Sequence, residues 1–151
     1  MSAPVTPTSA KQAVRGPRLL ALLWLLGTVA ASFAVPVLIA TVPYWHHVRR
    51  YLEWLGQGHL WLSIVCCVAL LMLSQRRKAQ GTQAWATGAL PIWVMAGLLS
   101  ALVLHLGVWP RWLVHSSSVV VQMQVLALMA VHGVAALMTF RVLRAFAHRS
   151  L

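Results

Sequence analysis

The stretch VVVQMQVLALMAVHGVAALMTF, residues Val119–Phe140, decides the fold of this chain. Read at helical spacing, it places most of its polar and small side chains on one face, because the steps between them alternate between four and three residues. This polar face, which begins one residue earlier, consists of Ser118, Gln122, Val125, Met129, His132, Ala136 and Thr139. In water such a helix would expose most of its apolar side chains to the solvent. In a bilayer, its apolar faces contact acyl chains and its polar face contacts other helices, so the stretch predicts a membrane-spanning helix.

The composition of the whole chain agrees with a membrane protein. It has 151 residues, of which 60% are hydrophobic and only 9% are charged, whereas soluble domains carry about 25% charged residues. Twelve Lys and Arg stand against a single acid, Glu53, which gives a net charge of +11. Because the basic residues lie between long apolar runs, we expect them to contact anionic lipid head groups and not nucleic acid.

Three further apolar runs are candidates to cross a membrane. The predicted spans are residues 19–45, 59–74, 85–109 and 118–140. They lie in a transmembrane domain of residues 19–144, between a basic tail of residues 1–18, which is predicted to be disordered, and a second basic tail of residues 145–151. A signal peptide that is cleaved after residues 32–34 is the alternative interpretation of the first run.

The segment between the first two runs has a pattern of its own. Residues 45–55 place apolar side chains on one helical face and charged ones away from it, which predicts a short helix in the membrane interface. Glu53 is spaced to pair with Arg49 or Arg50, and residues 56–58 are expected to turn the chain into the second span. The sequence therefore predicts an all-α bundle of four transmembrane helices plus a short interfacial helix.

The distribution of basic residues predicts the orientation of the bundle. Nine of them fall on one side and only three, Arg49, Arg50 and Arg111, on the other. This difference places both termini in the cytoplasm, and we expect a multi-pass protein of a bacterial-type inner membrane. An aromatic belt at the outer interface would consist of Tyr44, Trp45, Tyr51, Trp54, Trp61, Trp109 and Trp112.

Five of the seven histidines fall at or near the outer surface, and only His132 lies deep in a span. With a rise of about 1.5 Å per residue, His59 and His105 share a depth and can meet on neighbouring helices. A haem b needs two axial histidines at one level, so this pair is the candidate cofactor site. His132 is expected about 15 Å below His105, too far to share a metal with it. The alternatives are amphipathic side chains tolerated at the interface, or a metal or proton-linked site.

Cys66 and Cys67 are adjacent within the second run. Thiolates are ligands for soft metals, so the two cysteines, with His59 one to two turns away, are a candidate metal relay. The alternative is that both behave as small hydrophobic side chains. Neighbouring cysteines rarely bridge each other, so we expect no structural disulfide between them.

Gln122, His132 and Thr139 are the polar side chains of this face that are expected to lie within the membrane. An ionisable residue inside a span is a functional hypothesis by default. A neutral histidine can also hydrogen-bond to a neighbouring helix and fix its packing, and we expect this role for His132. Its candidate partners are Ser63, Ser100 and Thr28.

The sequence offers no positive case for an enzyme. A single acid excludes paired-carboxylate chemistry and a Ser-His-Asp triad, and we expect no catalytic residue. Little mass lies outside the spans, and small-residue faces such as that of Gly27 and Ala31 are suited to helix contact. We therefore expect a non-enzymatic accessory, assembly or interaction subunit that binds other membrane proteins or copies of itself, without a cofactor. The alternative is a small redox or metal-handling protein, with haem b or a soft metal near the outer face, or a metal transporter.

Overall fold

A computed structural model describes residues 7–79, 88–115 and 117–149, with side chains for 15–79, 88–115 and 117–146. The elements are α1 (Pro7–Thr41), α2 (Trp45–Ala79), α3 (Ala89–Leu102), a π-helical segment (Val103–Val108), α4 (Trp109–Val114) and α5 (Val119–Arg149). The segment joins α3 and α4 into one continuous third rod, so the fold has four long helical rods. Among the described residues there is no strand, and the prediction of an all-α bundle is confirmed.

Each rod contains a stretch that is long and apolar enough to cross a membrane. The four stretches are Arg15–Thr41, Trp45–Ala79, Ala89–Val114 and Val119–Phe146. Large apolar side chains on their outward faces are exposed, such as Phe33 at 69% and Leu106 at 68%. Soluble monomers rarely expose so much contiguous apolar surface, and this pattern is that of a multi-pass membrane protein.

Two helices in the first half of the chain have bounds that differ from the predicted ones. α1 begins at Pro7, so most of the tail that was predicted to be disordered is helical; a proline suits the first turn, where its missing N–H has no partner to lose. The interfacial helix is not separate either, because α2 runs from Trp45 to Ala79 without a turn at residues 56–58. Gly56 is buried against Trp109, whose Nε1 atom would lie 2.6 Å from a Cβ at that position. This glycine makes space for an indole ring within a helix.

The second half also extends beyond the predicted limits. The third rod continues to Val114, because Pro110 stands in the first turn of α4, where proline is tolerated. α5 continues to Arg149 through much of the predicted second tail. Residues 1–6 of the first tail, residues 85–87 of the third predicted span and residues 150–151 of the second tail lie outside the described residues.

The interior contains two apolar clusters, one towards each end of the bundle. One is rich in small side chains and has Arg18 packed over the Phe140 ring nearby; we call this the basic end. The other, at the aromatic end, consists of Val48, Leu52, Leu104, Trp109, Trp112 and Leu113. Trp109 and Trp112 are only 6% and 8% exposed, so the prediction that they belong to an interfacial belt was wrong. The other five predicted belt residues are exposed.

Small residues allow close contacts inside the bundle. A Cβ at Gly27 would overlap the end of the Leu62 side chain, and one at Gly97 would overlap the Trp24 ring. Ala31, which shares a face with Gly27, is 7% exposed. These small-residue faces are therefore already occupied by other helices of the same chain.

Candidate functional site

Three buried histidines from three rods lie in a row inside the bundle. His105, His59 and His132 are 8%, 5% and 0% exposed. The ring centroid of His59 lies 5.2 Å from that of His105 and 5.1 Å from that of His132. His59 and His105 meet as their predicted depths required, but His132 lies closer to them than predicted.

His132 is a junction of all four rods. Its Nε2 atom lies 3.0 Å from Nε1 of Trp24 on α1 and 3.2 Å from Oγ of Ser63 on α2. Its Nδ1 atom lies 3.0 Å from the carbonyl oxygen of Gly97 and 3.1 Å from Oγ of Ser100, both on α3. Ser63 and Ser100 were predicted partners of this histidine. The tryptophan was not predicted, since an apolar face gives no sign of which indole will reach across.

The partners of His132 define its tautomer. An indole N–H only donates, so Nε2 of His132 accepts from Trp24. A neutral His132 then carries its proton on Nδ1 and donates it to the carbonyl oxygen of Gly97. Both ring nitrogens are therefore satisfied inside the protein, which supports the packing role predicted for this residue.

The direction of the hydrogen bonds around His59 and His105 can be assigned as well. The hydroxyl of Thr28 donates to the carbonyl oxygen of Trp24 at 2.9 Å, so its oxygen accepts from Nε2–H of His59 at 3.3 Å. Nδ1 of His59 is then an acceptor, and Nε2–H of His105 donates to it at 2.9 Å. This chain of bonds leaves Nδ1 of His105 with a lone pair and no proton.

Two buried polar atoms beside this row of histidines have no hydrogen-bond partner among the described residues. Nδ1 of His105 and Nε1 of Trp109 have no hydrogen-bond partner in the described part of the protein. The two rings are neighbours, with centroids 5.6 Å apart. An unsatisfied buried polar group costs about 1–3 kcal/mol and calls for an explanation. Here an acceptor and a donor are left open on neighbouring rings.

His105 points inward because of the π-helical segment that contains it. In an α-helix of 3.6 residues per turn, a residue five positions after Ser100 lies well away from the face that carries Ser100. The wider i→i+5 turn of the π-helical segment brings His105 back towards that face. Single π turns are frequent at functional sites. No periodicity in the sequence predicts this segment.

Three spaces surround the indole ring of Trp109. An outer cleft of about 530 Å³ at the aromatic end is lined by His105, Trp109 and the Arg49–Glu53 ion pair. This pair, one of the two predicted for Glu53, joins Nε and Oε1 at 3.0 Å. A small inner space of about 10 Å³ is lined by His59, His105 and Trp109, and is close to the size of one water molecule. The third space opens sideways.

The third space, the lateral cavity, lies between α1 and α5 and has a volume of about 760 Å³. Its lining is mainly apolar. It includes Gln122, which is an exposed residue. The polar face of α5 is buried only towards the basic end, where Thr139 is 0% exposed and donates to the carbonyl oxygen of Ala135 at 2.8 Å. Gln122 and Thr139 therefore lie in different surroundings, although they share one helical face.

The cofactor and metal predictions remain untested. The 2.9 Å contact between His59 and His105 leaves no space for a macrocycle between the rings, so haem binding would require them to separate. Cys66 and Cys67 are unbridged and buried in the cluster at the basic end. Among the residues that the structure describes, no group of three or more His, Cys, Asp or Glu is arranged to hold a metal ion. A Soret band or bound metal in the purified protein would establish either prediction.

Known proteins offer no guide to this site. Comparisons with protein-family models, with curated proteins and with solved structures find no match for the chain. Its chemistry is therefore inferred from the geometry of the buried histidines and of the spaces beside them.

Proposed function

We propose that this protein is a non-enzymatic accessory subunit of a membrane system, which binds a hydroxyl-bearing ligand at His105 and Trp109. The observation that carries the proposal is the pair of buried, unpaired atoms on two neighbouring rings: an acceptor, Nδ1 of His105, and a donor, Nε1–H of Trp109. A hydroxyl group both donates and accepts a hydrogen bond. It is therefore the simplest group that can hydrogen-bond to both atoms without bringing a charge into the bundle.

The contrast between the histidines supports this assignment. His132 uses both ring nitrogens within the protein, and His59 is bonded at both of its own. His105 alone of the three keeps a nitrogen open, and it is the one that a π turn directs inward. The first two histidines hold the bundle together, and the third is the one available for a ligand.

The ligand assignment predicts that p-cresol, a small neutral phenol, binds at His105. In protein labelled with ¹⁵N-histidine in nanodiscs, p-cresol should shift the His105 signals saturably and leave those of His132 in place. His105→Phe and Trp109→Phe each remove one bonding atom, worth about 0.5–1.5 kcal/mol, and should weaken binding by up to about tenfold. His46→Phe, at an exposed position, is the matched control. Unchanged p-cresol affinity in both folded site variants would defeat the proposal.

The proposal also includes the type of membrane and the orientation of the bundle in it. We place the basic end in the cytoplasm of a bacterial-type cell, where Arg18, Arg76 and Arg77 would meet anionic head groups. The site at the aromatic end then faces outward. Other membrane proteins, or further copies of the chain, are the proposed partners of its exposed apolar faces.

Reporter fusions test this orientation. Fluorescent protein fused at either terminus should fluoresce, and alkaline phosphatase fused there should be inactive, because both termini are expected in the cytoplasm. Phosphatase inserted after His115, between α4 and α5, should be active. An active phosphatase at the C-terminus together with an inactive one at the N-terminus would mean an odd number of spans and overturn the assignment.

A further inference from the structure

We infer that the ligand reaches His105 from within the bilayer, and that it is an amphiphile with a hydroxylated aromatic head and an alkyl tail. The inference rests on the proposed function, and adds the class of the ligand and its route. The lateral cavity would hold the tail, and the head would lie against Trp109.

The lateral cavity has the size and position for such a ligand. Its volume of about 760 Å³ falls within the range of about 300–1,000 Å³ that is usual for small-molecule sites. Ile39 of α1 and Leu126 of α5 line it and are 46% and 65% exposed. These side chains belong to the outward faces of the two helices, so the cavity opens towards the acyl chains of the membrane.

The lateral cavity borders the space beside the histidines and shares part of its lining. The small inner space beside His59 shares Val35, Trp109 and Met129 with the lateral cavity, and it shares Gly56, His105 and Trp109 with the outer cleft. Trp109 thus forms a wall of all three spaces. Met129 beside it has a flexible, unbranched side chain. Movement of these two side chains would join the lateral cavity to Nδ1 of His105.

The lining decides the chemistry of the head and of the tail. Three tryptophans, Trp45, Trp109 and Trp112, line the cavity, and the rings of Trp109 and Trp112 lie 5.1 Å apart. Aromatic side chains favour an aromatic ring as their neighbour. The Arg49–Glu53 ion pair beside the site lies in the outer cleft and is already formed. A neutral aromatic hydroxyl therefore suits the head, and an alkyl chain suits the rest of the cavity.

Three probes with related structures separate the head from the tail. They are p-cresol, which has the head alone, 4-dodecylphenol, which has both, and 4-dodecylanisole, whose methylated oxygen has no proton to donate. Each is titrated into nanodiscs, and the His105 ¹⁵N signals and the affinity are measured. Because the anisole loses one hydrogen bond, we expect it to bind up to about tenfold more weakly than 4-dodecylphenol.

Two matched variants test whether the tail occupies the lateral cavity, the space that opens towards the bilayer. Ala130→Phe fills part of the lateral cavity, whereas Ala127→Phe makes the same change one turn away, at an exposed position outside its lining. We expect Ala130→Phe to weaken 4-dodecylphenol by about tenfold and to leave p-cresol unaffected. Ala127→Phe should leave both probes unaffected. Gln57→Trp, which narrows the outer cleft, should also have no effect on 4-dodecylphenol.

The outcomes separate this inference from the proposed function. If p-cresol binds at His105 but only Gln57→Trp weakens 4-dodecylphenol, the tail lies in the outer cleft and not in the lateral cavity, and the inference is wrong while the proposed function stands. If 4-dodecylanisole binds as tightly as 4-dodecylphenol, the cavity accepts any acyl chain and the inference is again wrong. If neither phenol perturbs His105, both proposals fail.

Discussion

Replacing Gly97 by leucine is expected to leave almost no folded protein. A side chain at this position would overlap Cη2 and Cζ2 of the Trp24 ring, which is 0% exposed. That ring cannot turn aside without breaking its hydrogen bond to His132, which also bonds to the carbonyl oxygen of Gly97. The substitution therefore affects the close contact of α1 with α3 and the four-rod junction together.

Alanine at the same position gives a graded measurement. Gly97→Ala should lower the free energy of unfolding by about 1–3 kcal/mol, the usual cost of overpacking, when thermal stability is measured in detergent. Gly133→Ala is the matched control, because nothing lies within 4 Å of its added Cβ. Gly27→Ala should fall between them, since it meets the movable end of Leu62. Equal stability for the alanine variants at 97 and 133 would show that this contact is not tight.

Replacing His132 by leucine is expected to have the second largest effect. The change leaves Nε1–H of Trp24 without an acceptor, in a fully buried position. It also removes one donor from the carbonyl oxygen of Gly97. A buried polar group left unsatisfied costs about 1–3 kcal/mol, so His132→Leu should lower thermal stability clearly. Ser63→Ala removes a single bond and should cost about 0.6 kcal/mol, the average for bonds between membrane helices.

Glutamine at position 132 distinguishes packing from a direct functional role. Its amide can both accept and donate, so His132→Gln should remain folded and should still bind p-cresol at His105. A folded His132→Gln protein that no longer binds p-cresol would show that this histidine does more than hold the rods together. The two roles can be tested separately because the four-rod junction involves His132, whereas the proposed ligand site involves His105.

The sequence was sufficient for those features that depend on length and local spacing. The apolar run around Val119–Phe140 and its three counterparts are long enough to span a bilayer, whatever their neighbours are. The Arg49–Glu53 pair follows from a four-residue spacing on one helix. The meeting of His59 with His105 needed only equal depth on adjacent rods.

Features that depend on contacts between rods could not be predicted in this way. Gly56 has the composition signal of a turn, but it is helical because Trp109 needs the space beside it. Trp109 and Trp112 look like interfacial residues by position, yet they fill the aromatic end of the core. The inward direction of His105 depends on a π turn, and hydrophobic periodicity does not distinguish it from an α turn.

The π-helical segment offers a way to remove the proposed ligand site without disturbing the rest of the bundle, by deleting one residue. A turn closed by i→i+5 bonds holds one more residue than a turn closed by i→i+4 bonds, so the extra residue is absorbed between α3 and α4. Deleting one residue within Val103–Val108 would let the rod close as a regular α-helix, with Ser100 and Trp109 still on their present faces. The four-rod junction would survive such a deletion, and only the open histidine would be lost. We therefore expect the one-residue deletion to abolish p-cresol binding at the proposed site while the thermal stability of the bundle is retained.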